Sequence, residues 1–261
     1  MADELATTLL EAPVRYPLSE TEKTAIDGVS RQDKLIYRLQ RARDAGQLTD
    51  FHYRSNMKMM FIAGHENVKV LLVSCLFEVA QLPNVQQRLY EEIIASGPEH
   101  DEDGLKNLPY LTTVIYETLR LYPPLAQLIN RRTIEPITLG NGICIRPGTW
   151  VGWNAYGVHT DPKNWGTDAL EFNPDRWGND VQSINNMSRA YQNRGLFIAF
   201  NAWSRMCIGV DFALLQMRVT LSVLLRQFSI AKDPNYTLVL NETAALELED
   251  CQLIFTHRDR E

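Results

Sequence analysis

At 261 residues the chain is long enough for one large domain or two small ones with a substantial buried core, and its 45% hydrophobic and 22% charged content is that of an ordinary soluble globular protein. A net charge of −6 gives none of the basic surface that a nucleic-acid partner requires. Four widely spaced cysteines (Cys75, Cys144, Cys207, Cys251) with no CxxC pair argue against a disulfide framework and a structural zinc site, and favour a reducing compartment.

The N-terminal run MADELATTLLEAPVRYPLSE has acids where a secretory signal has lysines, and no long apolar stretch follows it, so it reads as neither signal nor anchor. Residues 1–30 mix Pro13, Pro17 and Gly28 with polar residues, which predicts loops around short helices. Residues 31–45 place Leu35, Ile36 and Leu39 at helical spacing, closed by Gly46. Thr49 or Asp50 can cap the next element, a long helix predicted over residues 51–82 and stopped by Pro83. Its most apolar run, residues 68–80, is interrupted by Lys69 and Glu78 and falls short of the roughly 20 residues a bilayer crossing needs, so no membrane span is expected.

After Pro83, NVQQRLYEEIIAS reads as an amphipathic helix ended by Gly97-Pro98, followed by a polar acidic loop over residues 99–104. The segment LPYLTTVIYETLRLYPP predicts a helix over residues 110–122, bounded by Pro109 and by Pro123-Pro124. From residue 132 to 156, Gly and Pro punctuate short runs such as PITL, ICI and TWVGWNAY, a small β region. Residues 157–199 are rich in Gly, Asn, Asp and Pro and read as mostly irregular, with five aromatics from Trp165 to Phe197 favouring order. Residues 210–228 are helical and apolar on most sides, hence expected to be buried. The tail alternates (YTLVL, ALELEDCQLIF) as a terminal β-hairpin. The predicted fold class is mainly α, an α-rich α+β chain forming one domain over 1–261.

Three strings carry chemistry. In Phe200-Asn-Ala-Trp-Ser-Arg205-Met-Cys207-Ile-Gly209 a cysteine sits just before a helix N-terminus, where unpaired N–H groups stabilise a thiolate. Gly209 allows a close turn against a flat ligand, Arg205 can pair with a carboxylate at its edge, and Phe200 can shield the sulfur. A lone cysteine there reads as a packed, inert side chain. Glu117-Thr-Leu-Arg120 places an acid and a base on one helix face. In Phe61-Ile-Ala63-Gly64-His65-Glu66-Asn67, a glycine mid-helix costs about 1 kcal/mol and implies something against its backbone. His65 reads as a packing or hydrogen-bonding residue.

Taken together, F-x-x-x-x-R-x-C-x-G, E-x-x-R and A-G-x-acid resemble the motifs of cytochrome P450, in family order from about residue 31 to the C-terminus. The resemblance implies the C-terminal portion of that fold: a dioxygen-side helix (51–82), an ExxR helix (110–122), a meander (157–199) and a haem-thiolate loop (200–209). It further implies that the N-terminal half and membrane anchor of a microsomal-class, fungal-type member are absent. Haem b (iron protoporphyrin IX) is implied as cofactor, with Cys207 its axial ligand, Arg131 and Arg205 at the propionates, and Phe200, Gly209, Ala63 and Gly64 around it. Glu117, Arg120 and Arg176, the last in Phe172-Asn-Pro-Asp-Arg176-Trp177, match a structural charge network, and His159-Thr-Asp161-Pro162 matches the entry to the meander.

Glu66 and Asn67 occupy the catalytic positions, with Asn67 where the family has threonine; Trp203 stands where it has glycine. Substrate contacts fall on Phe61, Ala63, residues 125–129 (Leu125, Gln127 and Leu128 among them) and the turn near residues 244–246, including Ala245. AGHEN and NAWSRMCIG are most similar to fungal P450s of secondary metabolism, including those that oxidise tyrosine derivatives. The implied activity is a monooxygenase acting on a small organic substrate with dioxygen and electrons from NADPH-cytochrome P450 reductase, at the cytoplasmic face of the endoplasmic reticulum. Two alternatives stand beside it: a non-catalytic truncated remnant, and a haem-thiolate isomerase or dehydratase needing no reductase, motivated by Asn67.

Overall fold

The computed structural model describes residues 35–97, 101–127, 130–242 and 245–258. The loops expected over residues 1–30 lie outside the described residues, as do Leu128, Ile129 and Ala244. The chain divides into two compact units, Met1–Glu66 and Asn67–Glu261.

In the first unit, helix α1 (Leu35–Asp44) ends in a turn through Gly46, whose φ of 70° is left-handed. Of the two candidate caps for the long helix α2 (Asp50–Gln81), Thr49 acts, its Oγ1 accepting the His52 N–H at 3.2 Å. Tyr53 is buried, with the Arg43 guanidinium 4.8 Å from its ring centre. Phe51, Met59, Met60, Phe61 and Ile62 are exposed.

The second unit holds the remainder of α2 and most of the core. Val70, Leu71, Cys75, Leu76, Phe77 and Val79 of α2 are buried. By length and composition α2 is apolar enough to cross a membrane, which the run at residues 68–80 alone did not suggest. A third of that apolar window is buried, chiefly residues 70–71 and 74–77. Helix α3 (Pro83–Ala95) and helix α5 (Pro109–Leu121) each begin with proline at the first helical position, where its missing N–H costs nothing. Leu108 cannot cap α5, so Glu92 of α3 does, accepting the N–H groups of Tyr110 and Leu111 at 2.8 Å each. Ten of the 13 residues of α5 are buried, which makes it the central helix.

Between α3 and α5, the expected loop at residues 99–104 is in part a short helix, α4 (Glu102–Lys106), because Asp101 accepts the Gly104 N–H at 2.8 Å and caps it. Helix α9 (Val210–Gln227) packs on α3, α4 and α5. It buries Leu214, Met217, Leu221 and Leu225 but leaves Phe212, Val219 and Val223 exposed, so the expected burial holds for one face only among the described residues.

The largest departure from expectation lies in residues 157–199, which are mainly helical rather than irregular. They contain the end of α6 (Ala155–His159), α7 (Pro162–Trp165), a 3-10 turn (Pro174–Trp177) and α8 (Val181–Asn193). Side-chain caps explain this: Asn154, Asp161 and Asp180 each accept a backbone N–H at the start of a helix. Asp180 and Ser183 complete a capping box, and Ile184, Met187 and Tyr191 turn one face of polar α8 to the core.

Among the described residues the β structure is four antiparallel two-stranded ribbons: β1 (Arg131–Arg132) with β4 (Trp150–Val151), β2 (Ile137–Thr138) with β3 (Cys144–Ile145), β5 (Phe228–Lys232) with β8 (Leu253–His257), and β6 (Leu240–Glu242) with β7 (Leu246–Leu248). The expected terminal hairpin is thus split. Only β6 and β7 form it, while β8 pairs with β5, which leaves α9 without an intervening turn. Buried Gln86 ties this ribbon to the helices: its amide donates to the carbonyls of Val79 (3.1 Å) and Ile230 (2.7 Å) and accepts the Ile230 N–H at 2.8 Å. Gln86→Met keeps the volume and strands three buried backbone groups, so it is expected to lower unfolding free energy by about 2–3 kcal/mol in denaturant titration.

Candidate functional site

Residues separated by up to 60 positions meet at the C-terminal half of α5. Glu117 and Arg120, side chains fully buried, form a bidentate pair at 2.9 and 2.7 Å. Arg120 spends its remaining donors on the carbonyls of His159 (2.8 Å), Ala169 (2.5 Å) and Glu171 (3.0 Å), which uses all five of its N–H groups. Glu117 also accepts the Asn173 N–H (2.9 Å), Arg176 Nε (2.9 Å) and the Trp177 indole N–H (3.0 Å).

Arg176 reaches on to the Asp168 carboxylate at 2.9 Å. Hydrogen bonds from Asn173 and Arg176 hold that carboxyl below the usual range. Two acids and two arginines thus balance. Glu117, Arg120 and Arg176 are brought together, the first two a pair suggested by spacing and the third by the family resemblance; Asp168 and Trp177 were given no part in the network by the sequence reading.

His159, the last residue of α6, closes the other side. Its Nδ1 meets the Arg120 carbonyl at 3.1 Å and its Nε2 accepts the Ile198 N–H at 2.8 Å. An amide can only donate, so Nε2 carries the lone pair and Nδ1 the proton. Burial pushes the imidazole down to about 3. A ring held neutral in the fold but free to ionise when unfolded makes stability fall as pH drops from about 6.5 towards 3, by up to about 1.4 kcal/mol per pH unit. Glu78 and Glu92, whose carboxyls burial pushes up, act in the opposite sense. Denaturant titrations of the native chain and His159→Gln between pH 4 and 7 are therefore expected to diverge steadily as pH falls.

The chain leaves this network at Ile198 and enters the cysteine loop. The Asn201 N–H returns to the Ile198 carbonyl and the Cys207 N–H to the Phe200 carbonyl, each at 2.8 Å. Cys207 is exposed, not packed, and its Sγ accepts the Gly209 N–H at 3.3 Å. Gly209 is the N-cap of α9 with a φ of −94°, open to any residue; a Cβ there would only touch Cys207 Sγ at 3.8 Å. Phe200 is half-buried and packs against the core.

Trp203 has a φ of 52°, the left-handed region that glycine takes freely, so its departure from the expected glycine is held as backbone strain. Its ring lies 6.3 Å from that of Trp153. Arg205, in the 3-10 turn Trp203–Arg205, and Arg131, on β1, are exposed and form no ion pair or side-chain hydrogen bond among the described residues. An accessible thiol with an amide aimed at its sulfur, together with two uncommitted guanidiniums, is a donor set that fits a thiolate-ligated iron carrying two carboxylates.

The other sequence-predicted residues fall elsewhere. Leu125 is half-buried, Gln127 exposed and bridged to Asn154, and Ala245 buried. Phe61, Ala63, Gly64 and Glu66 belong to the first unit. There Phe61 stacks on His65 at 6.0 Å, His65 lies 3.7 Å from Glu66, and among the described residues nothing beyond the helix's own backbone and the neighbouring residues stands within 4 Å of where a Gly64 Cβ would be. Replacing Arg120 by methionine would take from buried Glu117 its bidentate partner, leaving Arg176, and would leave three carbonyls without their donor; a loss of about 3–5 kcal/mol is expected, read as a lowered unfolding midpoint.

Comparison with known proteins adds to this geometry. The family model for Cytochrome P450 matches residues 15–246. A cytochrome P450 monooxygenase, xanG, of Aspergillus fumigatus is 45% identical over 208 residues, covering 79% of this chain and 39% of its own length. Cytochrome P450-DIT2 of Saccharomyces cerevisiae is 39% identical over 194 residues, covering 74% of this chain and 38% of its own. The 7-deoxyloganic acid hydroxylase of Catharanthus roseus is 34% identical over 181 residues, covering 69% and 33% respectively. The chain spans about two fifths of the length of the first two relatives.

Proposed function

The chain belongs to the cytochrome P450 family, and from that premise we propose that it carries the haem-thiolate centre of a monooxygenase. The observation that carries the proposal is the loop ending in exposed Cys207, whose sulfur accepts the N–H of Gly209, the N-cap of α9. Haem b, when bound, would supply an iron whose thiolate ligand favours cleavage of the O–O bond of dioxygen.

Cys207 would be that ligand, with the Gly209 N–H aimed at its sulfur and the N-terminus of α9 following directly. Arg131 and Arg205 would bind the two propionates, with Phe200, Gly209, Ala63 and Gly64 bordering the ring. Glu66 would hold and release protons. Asn67 can donate a hydrogen bond but relays protons poorly. Phe61, Leu125, Gln127, Leu128 and Ala245 would orient a small organic substrate. Glu117, Arg120 and Arg176 would keep the surrounding backbone in place without touching substrate.

Electrons would come from NADPH-cytochrome P450 reductase, docking near the Cys207 face. The endoplasmic reticulum surface and fungal secondary metabolism are part of the same proposal, supported by the fungal relatives and by the AGHEN and NAWSRMCIG strings. Asn67 favours one second reading, a haem-thiolate isomerase or dehydratase that needs no reductase.

Expression with haem supplied, followed by reduction and carbon monoxide, tests the proposal. A thiolate-type Soret band is expected from the native chain and its loss from Cys207→Ser. Absence of haem uptake by the native chain would sink both readings. Turnover that depends on added reductase separates the first from the second.

A further inference from the structure

We propose that His159 is a positioning residue for Cys207: its neutral imidazole fixes the stem of the cysteine loop and so fixes where the sulfur stands. The functional part rests on the haem-thiolate reading above; the mechanical part stands on geometry alone.

The stem is anchored by few groups. Between buried Ile198 and the start of α9, Ala202 is buried, whereas Trp203, Arg205, Met206, Cys207 and Ile208 are exposed. The loop tip therefore has little core contact of its own, and its position is set where it enters. At that point the Ile198 N–H donates to His159 Nε2 at 2.8 Å, and Phe197 lies against the same imidazole with ring centres 5.5 Å apart. Two residues on, the Phe200 carbonyl accepts the Cys207 N–H at 2.8 Å, so one short backbone path joins the imidazole to the cysteine.

His159 is itself held from two directions by Arg120, whose guanidinium donates to the His159 carbonyl at 2.8 Å while its carbonyl meets Nδ1 at 3.1 Å. The imidazole is fully buried and cannot turn to another partner without stranding two backbone groups. The ring is a rigid spacer with one donor and one acceptor on opposite edges, which joins a carbonyl on α5 to an amide on the loop stem. Glutamine offers the same two functions at similar reach; asparagine offers them one methylene shorter.

The experiment compares the native chain, His159→Gln and His159→Asn by hydrogen exchange resolved to peptides. In His159→Asn the amides of residues 198–207 are expected to exchange about fivefold faster, the local opening that follows from losing one net hydrogen bond. Peptides from α8 and from the buried part of α5 should keep their native rates, and His159→Gln should restore most of the loop's protection. With haem supplied, the same ranking should appear as the share of thiolate-type over thiol-type band in the reduced carbon monoxide spectrum.

Equal loop exchange in all three chains overturns the proposal. So does acceleration spread evenly over the core, or a His159→Asn chain that fails to fold, because the role assigned is local. If the native chain takes up no haem, the haem-thiolate reading fails while the exchange data still decide whether His159 positions the loop.

Discussion

Glu117 is a carboxylate with no exposed surface, and an ion so placed persists only if the protein replaces every interaction that water gave it. It does so with both donors of one edge of Arg120, the Nε of Arg176, the indole of Trp177 and the backbone of Asn173. These donors come from two stretches of chain, α5 itself and residues 173–177, so the requirement to satisfy one carboxylate fixes the 3-10 turn and the residue before it against α5. Arg120 extends the constraint, because its remaining donors reach three carbonyls in residues 159–171. The aromatic cluster of Trp165, Trp177, Tyr191 and Phe197 packs around this charge centre, keeping water out.

The chemistry-bearing loop inherits its position from that core. Cys207 makes no buried contact that would hold it by itself; the loop departs from Ile198, at the edge of the charge network, and ends at the cap of α9. Rigid scaffold and exposed reactive group are thereby divided between two regions of sequence, 117–177 and 198–209. This division permits a thiol to be accessible while its backbone is defined.

How much of this could be read from the residues depends on whether the information is local. The Glu117/Arg120 pair is visible as i, i+3 spacing, and proline and glycine mark the ends of α3 and α5. What spacing cannot tell is burial: the same E-x-x-R on a surface helix would be worth a few tenths of a kcal/mol. Trp177 and His159 join the network through contacts across 60 and 39 residues, for which no periodicity exists, and Asp168 joins it through Arg176 and Asn173. Helix α8 was hidden by its Asn, Gln and Ser content, although Ile184, Met187 and Tyr191 stand at helical intervals. Strand β5 was hidden because Phe228 follows α9 without a turn residue between them. The cysteine loop, by contrast, is one contiguous string, and its family is legible in full.

Arg120 grips carbonyl oxygens at His159, Ala169 and Glu171, and a carbonyl is the one feature that no substitution removes. Side chains facing outward along this stretch can therefore drift without disturbing the guanidinium. The count of residues cannot: inserting or deleting one would carry at least one oxygen out of the fork's reach while Arg120 stays where Glu117 holds it. Among relatives of this chain, the outward-facing positions between His159 and Glu171 should vary in composition, while the length of the stretch hardly varies at all.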